Sequence, residues 1–199
     1  MTRHPEKSGF CHQLIIRNML DVEEWLFSPG MLFGSSEKWW GDRGTRGVPH
    51  EGCDLCFYRS SAGPIMTLEP GTQIPVLYDG QIVQIVGDFI GRTIFVRHPR
   101  HEENDWELYT LYGHVKPKEG LSPGMHIQAG DTIGGISAPR EGTSAPPAHL
   151  HLSAALIVKG FPPAGLDWNV FGSPEKAFFI DPIPLIECTY AIMTLPGHR

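Results

Sequence analysis

The segment His149-Leu150-His151 sets two imidazoles two positions apart at the head of an apolar run. On a strand, residues i and i+2 project to one face, so a single strand delivers two ring nitrogens into one cleft while Leu150 turns to the core. On a helix the same pair would diverge by about 200°. The following residues, Leu152-Ser153-Ala154, favour the strand. Upstream, His50-Glu51-Gly52-Cys53-Asp54 repeats the pattern. If this segment is extended, His50, Gly52 and Asp54 share a face, with the glycine leaving space for an ion and a close-approaching substrate. A histidine and a carboxylate from one segment, joined by a histidine from another, form a three-ligand zinc site with an open fourth position. Catalytic zinc is held that way, whereas structural zinc is closed by four ligands. A third contributor is Tyr112-Gly113-His114, ending a strand on which Thr110, Tyr112 and His114 are expected to share a face. A lone His-x-His arises by chance and a lone His/Asp pair is often a simple ion pair. The two together, with a third histidine between them, point to a metal site of the open, catalytic kind.

The remaining histidines carry less. Of the ten, His4, His12 and His198 are expected to be solvated, and His98, His101 and His126 to lie in or near turns without a ligand role. Cys53 and Cys56 form a C-x-x-C, but residues i and i+3 of a strand face opposite sides, and Cys11 and Cys188 offer no second pair for a zinc ribbon. Cys53 is expected to be a small buried hydrophobe, and Cys56 to share the parity of Asp54.

Positioning these groups requires short strands. From residue 53 onward, alternating or β-branched runs are broken by turns, with candidate strands at 53–58, 80–86, 93–98, 107–114, 132–136 and 150–158. Many short strands with frequent turns predict a mainly β, antiparallel domain. Ahead of it, residues 11–27 carry Ile15, Met19, Val22 and Leu26 at helical spacing opposite Arg17, Asp21 and Glu24, which predicts an N-terminal amphipathic helix. The segment Ser35–Pro49 concentrates Trp39, Trp40, Arg43 and Arg46 just before His50. Trp39 is expected to staple the helix to the β domain; the competing reading has both tryptophans and the arginines lining a groove. The expected organisation is a helical attachment over 1–34, a catalytic domain over 35–190 and a tail over 191–199.

Composition narrows the function further. With 199 residues, 41% apolar, the chain has room for one ordinary domain with its own core. A net charge of −6 without a basic tract makes it a poor nucleic-acid binder. No apolar run reaches the roughly 18 residues of a membrane helix, and no secretory apolar segment is read near the N-terminus, which leaves the compartment open. The oligomeric state is not encoded in any feature read here.

Taken together and in order, these motifs resemble the lysostaphin/LytM-type zinc endopeptidases, which cleave bacterial cell-wall peptides. The resemblance runs over roughly residues 45–186. It includes His50-x-Gly-x-Asp54, Gly71-Thr72-Gln73-Ile74 before Asp79-Gly80-Gln81-Ile82-Val83, Tyr112-x-His114, the glycine-spaced segment Gly124–Gly134, and His149-Leu-His151. The resemblance implies a compact two-sheet, barrel-sandwich-like antiparallel β fold with a groove over the metal. It also implies one zinc ion per chain, held by His50, Asp54 and His151, with His149 and His114 as catalytic histidines and peptidoglycan as the peptide substrate. The chain departs from the family after His-Leu-His, where Leu152-Ser153 stands in place of a residue followed by Glu, and in the two prolines before Ala148.

Three other readings compete. A non-catalytic scaffold that activates other wall enzymes would normally have lost metal ligands, and all three are present. A cupin-like barrel would place Glu three or four residues after His-x-His, where this chain has Ala154, Ala155 and Leu156. A zinc hydrolase of the same fold with a non-wall substrate fits the missing export segment.

Overall fold

The computed structural model describes residues 7–139 and 145–194. In chain order the elements are α1 (Phe10–Asn18), β1 (Glu24–Phe27), β2 (Cys53–Leu55), β3 (Phe57–Arg59), β4 (Ile65–Thr67), β5 (Gln73–Pro75), β6 (Gly80–Gly87) and β7 (Arg92–Glu103). They continue with β8 (Trp106–Pro117), β9 (His126–Ile127), β10 (Thr132–Ile136), β11 (Leu150–Val158), β12 (Ala177–Ile180), α2 (Ile183–Ile186) and β13 (Tyr190–Ile192). The strands form a large sheet ordered β12-β11-β8-β7-β6-β9 and a small sheet ordered β13-β1-β3-β4. β2 joins the large sheet on β11, and β10 bridges β5 and β8. All pairings are antiparallel except β1 with β13. The mainly β, two-sheet architecture agrees with the alternation read from sequence.

One core lies between the sheets. Trp25 and Phe27 of β1 pack there with Leu55, Tyr112, Leu150 and Leu152, and α1 adds Phe10 and Leu14. Burying an apolar side chain of this size stabilises by about 1.5–3 kcal/mol. A second cluster, including Phe95, Tyr109, Leu111, Ala155 and Ile157, covers the other face of the large sheet. Successive residues of β8 and β11 therefore feed opposite cores, as the period of two demands.

Three expectations are corrected. The helix does not run over 11–27. Met19 takes the left-handed conformation (φ 52°), and the Leu20 N–H turns back to Ile15 O at 3.0 Å. The Asn18 side chain meanwhile pairs with both backbone groups of Gln73, at 2.7 and 2.9 Å. The buried face of α1 is Phe10, Cys11 and Leu14, and Met19 is 92% exposed. Trp25–Phe27 form a strand because β3 and β13 supply backbone partners on both edges. The run 53–58 is likewise two strands, switching sheets at Cys56, whose carbonyl accepts from Leu68 N–H. Finally, the thiols of Cys11 and Cys188, remote in sequence, come close enough to perturb each other, and all four cysteines are free. No helix among the described residues is long and apolar enough to cross a membrane.

Candidate metal centre

β2 and β11 run antiparallel with His151 opposite Asp54, and β8 places Gly113 on the other side of His151. This register brings the two halves of the sequence pattern together. Gly52 is what lets β2 dock: a Cβ there would stand 2.2 Å from Leu152 O and 2.7 Å from Ser153 Oγ. The space beside Gly52 is thus filled by the neighbouring strand, not left for an ion as the sequence suggested. Gly113 is less confined: a Cβ there would stand 3.2 Å from the His151 Cβ.

His50 Nε2, Asp54 Oδ1 and His151 Nδ1 converge, with separations of 3.1 Å (His50–His151), 3.2 Å (His50–Asp54) and 2.8 Å (His151–Asp54). All three residues are buried. Their other polar atoms are tied off. His50 Nδ1 lies 3.1 Å from Leu32 O, and His151 Nε2 lies 2.9 Å from Ser153 Oγ. Asp54 Oδ2 accepts from Trp39 Nε1 at 2.6 Å, with Arg46 Nη2 at 3.7 Å. Because His50 Nδ1 must donate to a carbonyl, its Nε2 carries a lone pair. A neutral His151 accepting from Ser153 keeps its proton on Nδ1, whereas donation to Ser153 from Nε2 frees Nδ1 as a ligand. The second arrangement gives three inward lone pairs. A tetrahedral ion with bonds of about 2.0–2.1 Å separates its ligands by about 3.3 Å. The observed sides, 2.8 to 3.2 Å, fall within about half an ångström of that size, so this donor set fits zinc. Burial alone would raise the Asp54 carboxyl. The facing His50 and His149 rings, with hydrogen bonds from His151 and His50, outweigh it and hold Asp54 well below the usual carboxylate range.

His149 adjoins the triangle without joining it: Nε2 lies 3.7 Å from Asp54 Oδ1 and Nδ1 lies 2.8 Å from Pro147 O. Burial pushes its pKa down to about 4, although Asp54 pulls the other way. His114 is a departure from the expected strand geometry. It takes φ 61°, a left-handed conformation costing roughly 1 kcal/mol or more for a side chain of this kind. The kink breaks the alternation, so His114 does not follow Thr110 and Tyr112. Its ring packs against His149 (4.8 Å between centroids) and His151 (5.8 Å). Asp88 accounts for the kink: its Oδ2 accepts the His114 backbone N–H at 2.9 Å, and its Oδ1 lies 3.2 Å from His114 Nδ1. Asp88 is itself fixed by donors from Ile90, Gly91 and Thr93.

Together these groups line a cleft of about 400 Å³ whose wall also includes Trp40, Phe89 and Trp168. All five residues singled out in the sequence meet here. Three others were missed. Trp39, read as a staple, is 3% exposed and donates to the Asp54 carboxylate, with its ring edge-on to His149 at 5.3 Å between centroids. Asp88 was not singled out, and Ser153, named in the sequence only as a departure from the family pattern, supplies a hydroxyl 2.9 Å from His151 Nε2. Trp40 lies under the Arg46 guanidinium at 4.6 Å on the cleft wall, so the groove-lining reading holds for these two. Cys56 donates to Ala148 O at 3.5 Å and is no part of the triangle. His98 is fully buried on β7, not in a turn, while His12 and His126 are exposed. His4, His101 and His198 lie outside the residues whose side chains are described, as do residues 142–144 of the loop before Ala148.

A model of peptidase family M23 matches residues 59–159, slightly more than half of the chain. That span begins after His50 and Asp54 and contains His114, His149 and His151. No curated protein matches the chain. Among solved structures, the solution structure of lysostaphin is 19% identical at a TM-score of 0.42, covering 70% of this chain and 49% of that one. The antimicrobial peptidase lysostaphin from Staphylococcus simulans is 18% identical at 0.42, covering 82% and 52%. A zinc containing peptidase from Vibrio cholerae is 17% identical at 0.40, covering 67% and 36%. The chain thus spans about half, or less, of the length of these structures.

Proposed function

The chain belongs to peptidase family M23, and from that premise we propose that it is a zinc-dependent metalloendopeptidase cutting a peptide bond in peptidoglycan cross-links or stem peptides. The observation that carries this reading is the buried triangle of His50 Nε2, Asp54 Oδ1 and His151 Nδ1, with each residue's second polar atom anchored elsewhere. These three side chains would hold one zinc ion per chain. Zinc bound there supplies Lewis acidity, which acidifies water and polarises a carbonyl.

The chain's own residues do the rest. Held by Pro147 O at Nδ1, neutral His149 keeps an Nε2 lone pair that takes a proton from the attacking water and returns it to the leaving amine. Its low pKa keeps it neutral at pH 7. His114, fixed by Asp88, has its remaining nitrogen available to hydrogen-bond the water or the developing oxyanion. Trp39 and Ser153 keep Asp54 and His151 from rotating out of register. Trp40, Phe89 and Trp168 give the cleft apolar walls that hold the peptide and exclude bulk solvent. The catalytic unit in this reading is residues 35–190, flanked by 1–34 and 191–199.

Purified peptidoglycan incubated with the protein tests it. Release of new amino termini that stops with a zinc chelator and returns on adding zinc is expected. Absence of release in the zinc-loaded protein would remove the wall substrate, and release indifferent to chelator would remove the metal from the reaction.

A further inference from the structure

A second and larger cleft, of about 1,020 Å³, opens on the far side of the His114 turn. Its lining includes much of β10, and its charged side chains are Arg17 of α1, Arg92 of β7, Lys116 of β8 and Lys118 just beyond it. Among the described residues no carboxylate lines it, although the chain has 22 acidic residues against 16 basic ones. The nearest acids in sequence, Glu69, Glu119 and Asp131, lie outside the lining. Arg92, Lys116 and Lys118 are exposed and form no ion pair among the described residues, while Arg17 donates to Gly130 O across the cleft. Repelling cations gathered in one concavity without counter-charge destabilise the fold slightly, so their arrangement calls for an anionic ligand.

The two clefts share no lining residue, but Arg92 and Val115 of this one are chain neighbours of Thr93 and His114 of the other. Arg92 is paired opposite Val115, the residue after His114, and Ser137 N–H donates to His114 O at 2.8 Å at the boundary. Lys116 lies two residues beyond His114, about 7 Å along the strand, and Lys118 about 13 Å. An extended peptide running from one cleft into the other would reach these cations about two to four residues from its scissile bond.

We infer that this cleft binds the acidic part of a peptide substrate, selecting carboxylate-bearing side chains a few residues from the cut. The position of the ligand rests on the peptidase reading above; the capacity to bind an acidic chain does not. A labelled oligoglutamate peptide and an oligoserine peptide of equal length, titrated against the full chain by fluorescence anisotropy, test it. Oligoglutamate is expected to bind and oligoserine not to, with binding lost at high salt. The Arg92→Glu/Lys116→Glu/Lys118→Glu variant should weaken it about tenfold or more, equivalent to about 1.4 kcal/mol. Should that variant fail to fold, Lys116→Gln/Lys118→Gln reports the same loss with a smaller perturbation. Equal affinity for both peptides, undiminished binding by the folded variants, or tighter binding of inorganic polyphosphate would overturn the inference. Retention of oligoglutamate by a chain that cuts no peptide would overturn the peptidase reading alone. Cutting without preference for acidic neighbours would overturn this inference alone.

Discussion

Two buried polar clusters, one around His98 on β7 and β8 and the other around His50, Asp54 on β2 and His151 on β11, do opposite things with their hydrogen bonds. At His98, Nδ1 meets Asp79 O at 3.0 Å and Nε2 meets Thr110 Oγ1 at 2.7 Å. Thr110 Oγ1 is 3.1 Å from the Tyr112 hydroxyl, which accepts the Leu77 N–H at 2.8 Å. Every polar atom in that chain has a protein partner, and the network ties the loop before β6 to β7 and β8. At the other cluster, His50 and His151 each spend one nitrogen on an anchor and turn the other toward Asp54 Oδ1. Residue type and burial are the same in both places. The direction of the lone pairs differs. A closed network rigidifies the fold, whereas acceptors converging at the wall of a cleft form a group that could hold a cation.

That contrast can be broken or sharpened by substitution. The largest expected effect is from His149→Ala, which should lower hydrolysis by about 10²–10⁴-fold while zinc per chain stays at the parental value; steady-state rates beside elemental analysis read both. Next, Trp39→Phe keeps the ring but removes the 2.6 Å bond to Asp54. Zinc affinity measured by chelator competition should fall about 10–100-fold. Ser153→Ala, which strips the anchor from His151 Nε2, should act in the same direction near the lower end of that range. At the closed cluster, His98→Ala should cost about 1–3 kcal/mol in denaturant unfolding and leave zinc binding untouched. A His98 variant that lost the metal would erase the distinction between the clusters.

The smallest effect concerns Asp88. Burial alone would raise its carboxyl, but the His114 side chain and the backbone N–H groups of Gly91 and His114 hold it well below the usual range. The unfolded value is about 3.9. The resulting stability is therefore fully present above about pH 4 and drains away as pH falls below it toward the folded value. Melting temperature against pH should show a shallower acid limb in Asp88→Asn, and identical limbs would sever Asp88 from His114.

Much of this was legible in the residues. β6, β8, β10 and β11 follow from period-two alternation, and His-x-His on β11 follows from the same parity. Parity would also have found Ser153, two positions past His151 on the same face. The helix was overrun because Met19, Val22 and Leu26 keep a helical spacing that local pattern cannot distinguish from a capped helix and a strand. The cap depends on Asn18 meeting Gln73, a contact across 55 residues. Trp39 escaped because its role is set by an indole nitrogen reaching over an irregular loop, while the ring itself looks like any core aromatic. Asp88 was hidden in its turn: an aspartate accepting from the next two or three N–H groups is ordinary hairpin chemistry, and only the β7–β8 register brings it to His114.

Zinc per chain after exhaustive dialysis, measured side by side on the parental protein and on His50→Ala, Asp54→Ala and His151→Ala, probes the centre itself. One equivalent in the parent, and close to none in each folded variant, is the expected result. A parent that retains no zinc, or variants that retain a full equivalent, would contradict the metal centre on which the reading of this molecule stands.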